Sequence, residues 1–224
     1  MDQEDQAGKK RSQNMNKKSP AYVLLFIILL TMFFGIAIST VHYLTLPILE
    51  KNSLLIKNRV ISKAFMLEVK SENAETYKNA ITENIIFDTL RVGDNEVEFY
   101  SHKYNHNIGF LFTGLGFWEA ISGIIVMDSK LEKIVNLQIL DQNETPGLGA
   151  RIEEKWFTNQ FKNLKVKWTD KYRIIIGPTS NSDKSNVVNG ITGASQTSDA
   201  LMVIINKNLV IFREAYMNQA GNKN

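Results

Sequence analysis

The stretch AYVLLFIILLTMFFGIAISTVHYLTLPIL, residues 21–49, decides how this chain is organised. No Asp, Glu, Lys or Arg interrupts the interval between Lys18 and Glu50. Because a helix rises about 1.5 Å per residue, about 20 apolar residues cross the hydrocarbon layer of a bilayer. Residues 22–46 are therefore long enough to span a membrane with some tilt, and we predict one transmembrane helix.

A cleaved signal peptide and a buried core helix are the alternatives for this stretch. The apolar region of a signal peptide usually covers about 7 to 15 residues and ends at a small-x-small cleavage site. This run instead continues through Phe33 and Phe34 to Tyr43 without an obvious site of that kind. The pattern favours a retained anchor surrounded by membrane lipid.

The basic residues that flank the apolar stretch indicate its orientation. Lys and Arg remain on the cytoplasmic side during insertion. The residues of this kind before the helix are Lys9, Lys10, Arg11, Lys17 and Lys18. Those that follow it, and weaken the asymmetry, are Lys51, Lys57 and Arg59. We expect a single-pass protein of the cytoplasmic (inner) membrane with a cytoplasmic N-terminus and an extracytoplasmic, periplasmic domain.

These patterns divide the chain into segments. Residues 1–18 have the polar, charged composition of a disordered cytoplasmic tail, and residues 19–49 form the transmembrane helix. Residues 50–215 are predicted to form the extracytoplasmic domain, and residues 216–224 a flexible tail.

The composition excludes several classes of function. The net charge of +3 is small and both signs are spread along the chain, so nucleic-acid binding is not predicted. The lack of cysteine excludes disulfides, thiolate zinc sites and cysteine-ligated iron-sulfur clusters. His42, His102 and His106 lack metal-ligand spacing, and no catalytic triad is evident. We therefore predict neither a metal site nor catalytic residues acting on a diffusible substrate.

Several segments after the anchor read as strands. Residues 96–112 are strand-like with turn formers at 105–107, and two strands joined by a polar turn are indicated at 122–128 and 132–140. A further strand is expected at 172–177. Together these segments predict a largely antiparallel sheet.

Helices are predicted around this sheet. Pro47 indicates a break in the first helix, after which residues 48–67 show an amphipathic pattern. Residues 151–163 place apolar side chains near one helix face. Residues 197–217 read as a core-facing helix, although their β-branched content leaves a strand as an alternative. The predicted fold class is α+β, with a transmembrane helix followed by a largely antiparallel sheet and flanking helices.

A loop before the last helix is the first of three that could carry chemistry. Its sequence is NGITGASQTS, residues 189–198. The glycines, the hydroxyl side chains and Asp199 are typical of a helix start, so the pattern taken alone favours a helix cap. The same helix start could offer backbone N–H groups to an anion such as a phosphate.

The other two loops are also ambiguous when each is taken alone. NETPGLGARIEEKW, residues 143–156, could approach a planar ligand, with Glu144 and Thr145 as polar groups and Leu148 as an apolar face. TGLGFWEAISGIIVMD, residues 113–128, places Trp118 after a double-glycine turn, where it is either a core side chain or a ligand contact.

The order of these motifs carries a resemblance. A single N-terminal membrane helix, a GLGFW turn, a TPGLGA loop and a TGASQTS segment together resemble the FMN-binding domain family. Its best-known members are the C subunit of the Na+-translocating NADH:quinone oxidoreductase (Na+-NQR) and the G subunit of the Rnf electron-transport complex. The resemblance spans roughly residues 20–215, and ETPGLGA is its most specific part.

The resemblance implies a covalent cofactor. In this family a flavin transferase takes FMN from FAD and attaches it through a phosphoester to a threonine hydroxyl. Ser195 stands at that acceptor position, and Asn189 stands where the family has Asp. Thr197 is a nearby alternative acceptor that ranks behind Ser195 by motif position, with helix capping or a hydrogen bond to the phosphate as its expected role. The resemblance further implies cofactor contacts from Trp118, Glu144, Thr145, Gly147, Leu148, Gly149, Thr192, Gly193, Ala194 and Thr197.

The function implied by the resemblance is electron transfer through covalent FMN in an ion-translocating membrane complex. The partners implied are the other membrane subunits of an Rnf or Na+-NQR type of complex, and the flavin transferase during maturation. The alternatives are a structural subunit of such a complex that carries no flavin, and a membrane-tethered ligand-binding sensor. The sequence does not distinguish Rnf from Na+-NQR, or Na+ from H+ as the coupling ion.

Overall fold

The computed structural model describes residues 19–92, 95–180 and 182–221. The tail predicted at 1–18 lies outside these residues. The chain divides into two compact units, the first ending at Asn52 and the second beginning at Ser53.

The first helix, α1, spans Pro20–Ala64 and contains the predicted apolar stretch. It is long and apolar enough to cross a membrane. The break predicted at Pro47 is wrong, because the helix continues through this residue. A proline inside a helix removes one backbone donor, and here long helical stretches on both sides maintain the helix.

A short helix and five strands follow. Helix α2 spans Ala74–Asn84 and is capped by Asn73, whose side chain accepts a 2.8 Å hydrogen bond from the backbone N–H of Thr76. The strands are β1 (Ile85–Val92), β2 (Asn95–His102), β3 (Ile108–Leu115), β4 (Ala120–Met127) and β5 (Lys133–Asp141). They run antiparallel in chain order and are completed by the two-residue β6 (Leu164–Lys165). The strands and the turn predicted between residues 96 and 140 are confirmed, whereas α2 and β1 were not predicted.

The segment between β5 and β6 differs from the single helix predicted at 151–163. It consists of a 3-10 turn (Gly149–Glu153), the four-residue helix α3 (Lys155–Thr158) and a second 3-10 turn (Asn159–Phe161). Glu154 has extended dihedral angles, with ψ at 143°, and this interrupts the helix. The apolar pattern reflects burial of Ile152, Phe157 and Phe161, which short turns satisfy as well as a helix does.

Two short strands and a long helix complete the domain. The strand predicted at 172–177 is reduced to β7 (Ile175–Ile176), which pairs in parallel with β8 (Val187–Val188). Helix α4 spans Ser195–Gly221, so the strand alternative for this region is wrong. Residues 216–221 are helical where the sequence predicted a flexible tail, and residues 222–224 lie outside the described part.

The sheet has an apolar core on each face. Because strand side chains alternate between faces, Ile121, Ile125 and Met127 of β4 join the core under α4, while Ile124 and Val126 join a cluster with the end of α1. Under α4 the ring of Phe110 stacks on that of Phe212 with centroids 4.1 Å apart. The architecture is the predicted α+β fold, with helices flanking a largely antiparallel sheet.

Candidate functional site

Three loops converge at one end of the sheet. They are the β3–β4 turn at 116–119, the segment after β5 at 142–150, and the loop at 189–194 that leads into α4. These are the three loops that the sequence singled out, and hydrogen bonds connect them directly.

The side chain of Glu144 forms these connections. Only 4% of this residue is exposed. Its Oε1 accepts hydrogen bonds from the backbone N–H groups of Phe117 (2.8 Å) and Trp118 (3.0 Å). Its Oε2 accepts a 2.6 Å hydrogen bond from the hydroxyl of Thr197. A single buried carboxylate therefore holds the β3–β4 turn and the start of α4 against the ETPGLGA loop.

Two glycines allow the loops to approach this carboxylate. A Cβ at Gly116 would lie 2.6 Å from Oε1 of Glu144. A Cβ at Gly149 would lie 2.5 Å from Oγ1 of Thr197 and 2.9 Å from Oε2 of Glu144. Such distances are too short for a real side chain, so both positions require glycine. Gly147 has a different role: its φ of +75° provides a left-handed turn that glycine adopts without strain.

Trp118 lies on the surface, so the core alternative for this side chain is wrong. Trp118 is 63% exposed, and its indole Nε1 donates a 3.0 Å hydrogen bond to Oγ1 of Thr145. Phe117 and Leu148 are exposed beside it, at 48% and 43%. Together they form an apolar rim around the convergence of the loops.

The start of α4 presents backbone donors to this region. The first backbone hydrogen bond into the helix is donated by Ser198 to the carbonyl of Ala194, over 3.1 Å. The N–H groups of the three preceding residues, 195–197, are those that a helix start leaves for an anion or another acceptor. The hydroxyl of Ser198 also accepts from the N–H of Ile191 at 3.1 Å, which fixes the loop. Asp199 is the fifth residue of α4 and lies beyond the expected first turn.

The two hydroxyls considered as acceptors have different environments. Ser195 is exposed, whereas Thr197 is only 3% exposed and its hydroxyl donates to Glu144. Ser195 also borders a cavity of about 320 Å³. The other residues that line this cavity are Phe117, Thr145, Leu148, Gly149, Gly193, Ala194, Gln196 and Thr197. Of the two hydroxyls, that of Ser195 is the one accessible for modification.

A second cavity, also of about 320 Å³, lies beside the same loop. Thr192, Gly190, Ser198 and Asp199 border it, and it shares Gly193 and Ser195 with the first. A group attached to Ser195 therefore has open space on two sides of the loop.

The structure brings together most of the residues expected to contact a cofactor. Those that line the first cavity are Thr145, Leu148, Gly149, Gly193, Ala194, Ser195 and Thr197. Glu144 lies behind them, Trp118 contacts Thr145 at the rim, Gly147 shapes the turn, and Thr192 borders the second cavity. Phe117 and Gln196 also line the first cavity and were not predicted, although each is adjacent in sequence to a predicted site residue.

The side chain of Asn189 is exposed, and hydrogen bonds fix its backbone. The backbone N–H donates to Oε1 of Gln160 at 2.9 Å, and the carbonyl accepts from Nε2 of the same side chain at 3.4 Å. An Asn or an Asp at this position is therefore compatible with the same loop conformation.

The lining residues fit a planar aromatic ligand that bears a phosphate. Phe117 and Leu148 supply apolar surface for a ring, Thr145 supplies a polar group, and the start of α4 can hold an anion near Ser195. In the described ranges, no group of three or more His, Cys, Asp or Glu residues is placed to hold a metal ion.

The chain is similar to known proteins. Residues 116–210 match the FMN-binding domain family. The G subunit of the proton-translocating ferredoxin:NAD(+) oxidoreductase complex of Clostridium ljungdahlii is 27% identical over 171 residues, which cover 75% of this chain and 77% of that protein. The C subunit of the Na(+)-translocating NADH-quinone reductase of Pasteurella multocida is 24% identical over an alignment of 229 residues, covering 83% and 88% of the two chains.

Solved structures show the same fold. The crystal structure of NqrC from Shewanella oneidensis aligns with a TM-score of 0.60 at 14% identity, covering 72% of this chain and 94% of that one. The C subunit of the Na(+)-translocating NADH-quinone reductase from Parabacteroides distasonis gives 0.62 at 20% identity, covering 74% and 93%. The resemblance to the FMN-binding domain family is confirmed.

Proposed function

We propose, from the match of residues 116–210 to the FMN-binding domain family, that this chain is a membrane-anchored electron-transfer subunit that carries FMN. Its relatives are named as subunits of a ferredoxin:NAD(+) oxidoreductase complex and of an NADH-quinone reductase. By this likeness, the chain works with the other membrane subunits of an Rnf or Na+-NQR type of complex. FMN supplies the redox chemistry, and the protein supplies attachment, orientation and electrostatics.

The finer part of the proposal is a covalent link at Ser195. The observation that carries it is the exposed hydroxyl of Ser195 at the start of α4, beside a cavity bordered by Phe117 and Leu148. In the attachment step, Oγ of Ser195 attacks the FMN phosphorus of FAD in a flavin transferase. The bond to the AMP phosphate breaks, AMP leaves, and the serine proton passes to a base of the transferase.

Each residue of the site then has a role. Backbone N–H groups at residues 195–197 would donate hydrogen bonds to the phosphoester and stabilise its negative charge. Phe117 and Leu148 would supply the apolar surface that holds the ring, and Thr145, which accepts a hydrogen bond from Trp118, would supply a polar group. Glu144 and Thr197 position the loops that form the cavity.

The orientation in the membrane also belongs to the proposal. The five basic residues that precede α1 favour a cytoplasmic N-terminus, which leaves residues 50–215 on the extracytoplasmic side. A covalent tether suits such a location, because an exported domain cannot draw on the cytoplasmic pool of free FMN.

Flavin attachment is testable in the full-length chain. We expect the chain, co-expressed with a flavin transferase, to give a fluorescent band on a denaturing gel and a mass increase of one FMN less water. Ser195→Ala should abolish both signals. Thr192→Ala, which removes another exposed hydroxyl of the same loop, should retain both signals. Thr197→Val should also remain fluorescent, at a lower yield, because it loses the hydrogen bond to Glu144 that positions the loops.

The contrary results have distinct meanings. A wild-type band without fluorescence and with unmodified mass would favour the alternative, a structural subunit without flavin. That alternative is based on Asn189 and Ser195, which differ from the Asp and Thr of the family motif. Fluorescence that survives Ser195→Ala and is lost in Thr197→Val would move the attachment to Thr197.

A further inference from the structure

We infer that the carboxylate of Glu144, besides holding the loops, places a fixed negative charge behind the FMN cavity and lowers the reduction potential of the flavin. This inference rests on the proposed function, since it concerns FMN bound beside Ser195. It assigns an electrostatic role to a residue that lies behind the lining of the cavity.

The first support is the chemical environment of this carboxylate. Its three hydrogen-bond donors are the N–H groups of Phe117 and Trp118 and the hydroxyl of Thr197, all of them neutral. The 2.6 Å bond from Thr197 has the length of a hydroxyl bound to a carboxylate. These donors solvate the charge without cancelling it, and no ion pair with Glu144 occurs among the residues that the structure describes.

The second support is the short path from the carboxylate to the cavity. Gly149 and Thr197 both line the cavity, and both lie directly against Glu144. A Cβ at Gly149 would lie only 2.9 Å from Oε2, so this lining residue has no side chain to separate the charge from the cavity. Since Glu144 is 4% exposed, little water lies beside it to screen the interaction.

The physical consequence concerns the charge that reduction adds. Two-electron reduction of a flavin near neutral pH adds two electrons and one proton, so the bound group gains one negative charge. The electrons come from a reduced redox centre of a neighbouring subunit, which is oxidised in the same step. A nearby negative charge repels the charge that is gained, which makes reduction less favourable and lowers the potential.

The variant Glu144→Gln removes the charge with little change in shape. Its amide oxygen can still accept from the N–H groups of Phe117 and Trp118, and its NH2 group can donate to the hydroxyl oxygen of Thr197. We expect the flavin-loaded, full-length variant in detergent to show a higher midpoint potential in a spectroelectrochemical titration. The expected rise corresponds to about tenfold in the equilibrium constant of two-electron reduction, or about 30 mV.

Glu119 offers a matched control. It lies in the same β3–β4 turn and accepts a 2.6 Å hydrogen bond from Asn143, but it is exposed. Glu119→Gln removes the same charge from a solvent-screened position, so its shift should stay below about twofold in the same constant.

Three results would overturn the inference. They are an unchanged potential in Glu144→Gln, an equal rise in Glu119→Gln, and a folded Glu144→Gln protein that takes up no flavin, because the residue would then act on attachment. If Glu144→Gln does not fold, Glu144→Asp withdraws the carboxylate by one methylene and should give a smaller rise, and the absence of any rise would refute the idea. If the wild-type chain carries no flavin, that result would instead contradict the proposed function itself.

Discussion

The hydroxyl of Thr197 donates a 2.6 Å hydrogen bond to the carboxylate of Glu144, which lies 53 residues earlier in the chain. The bond is buried and joins the start of α4 to the loop after β5. The other oxygen of the same carboxylate holds the β3–β4 turn. The shape of the cavity beside Ser195 therefore depends on this pair.

Thr197→Val should destabilise the domain by about 1.5–3 kcal/mol, because it removes a buried hydrogen bond to a charged group and preserves the shape of the side chain. Thr145→Val is the matched control. The hydroxyl of Thr145 accepts from the indole of Trp118 at an exposed position, so its loss should change stability by less than about 1 kcal/mol. Thermal unfolding of both full-length variants in detergent would test this, and equal midpoints would contradict it.

Gly149→Ala should disrupt the site, because its Cβ would lie 2.5 Å from the hydroxyl oxygen of Thr197. Overpacking of this kind costs about 1–3 kcal/mol, and we expect a lower thermal midpoint together with less flavin per protein. At Gly190 a Cβ would make ordinary contacts, the nearest at 3.4 Å, so Gly190→Ala should be tolerated. Similar losses in both variants would show that the close approach to Thr197 is unimportant.

Asn189→Asp should increase flavin attachment and leave stability unchanged. The change restores the carboxylate of the family motif on an exposed side chain, while the loop is held through the backbone of this residue by Gln160. If the carboxylate contributes about 1 kcal/mol to recognition by the transferase, attachment at limiting enzyme should be about fivefold faster. In-gel fluorescence over time would measure the rate. A slower rate, or a shifted thermal midpoint, would argue against a role in recognition alone.

His102 should make stability depend on pH. Burial, and secondly the charge of His106, lower the pKa of His102 below its ordinary value of 6.5. Its Nδ1 accepts a 3.2 Å hydrogen bond from the N–H of Tyr104, which requires the nitrogen to be unprotonated. Because the folded pKa lies below the unfolded one, this contribution is present above pH 6.5 and is lost as the pH falls through the folded value.

The measurement for this prediction compares thermal midpoints at about pH 7.5 and about pH 5.5. The thermal midpoint of the wild type should be lower at the lower pH. His102→Asn should reduce this difference, because its amide oxygen accepts hydrogen bonds at both pH values. An identical difference in the two proteins would assign the pH dependence to other groups.

Local patterns determined several features correctly. The uncharged run at 21–49 specified an apolar helix, because its length and composition are those of a helix that can cross a membrane. The two apolar runs with a polar turn between them specified β4 and β5, since strands are typically bounded by turn formers. The order of the three glycine-containing motifs was sufficient to indicate the family. Local rules failed at two places. The helix continues through Pro47, where a break was expected. Residues 151–163 bury their apolar side chains through short turns, where a single helix was expected.

Only the tertiary structure decided the surroundings of individual side chains in the candidate site. Motif position ranked Ser195 before Thr197 as the acceptor, but the surroundings of the two hydroxyls were not predicted: the fold buries Thr197 against Glu144 and leaves Ser195 exposed. It likewise places Trp118 on the surface. The physical reason is that burial and hydrogen-bond partners depend on residues distant in the chain, which become neighbours only when the sheet and α4 assemble.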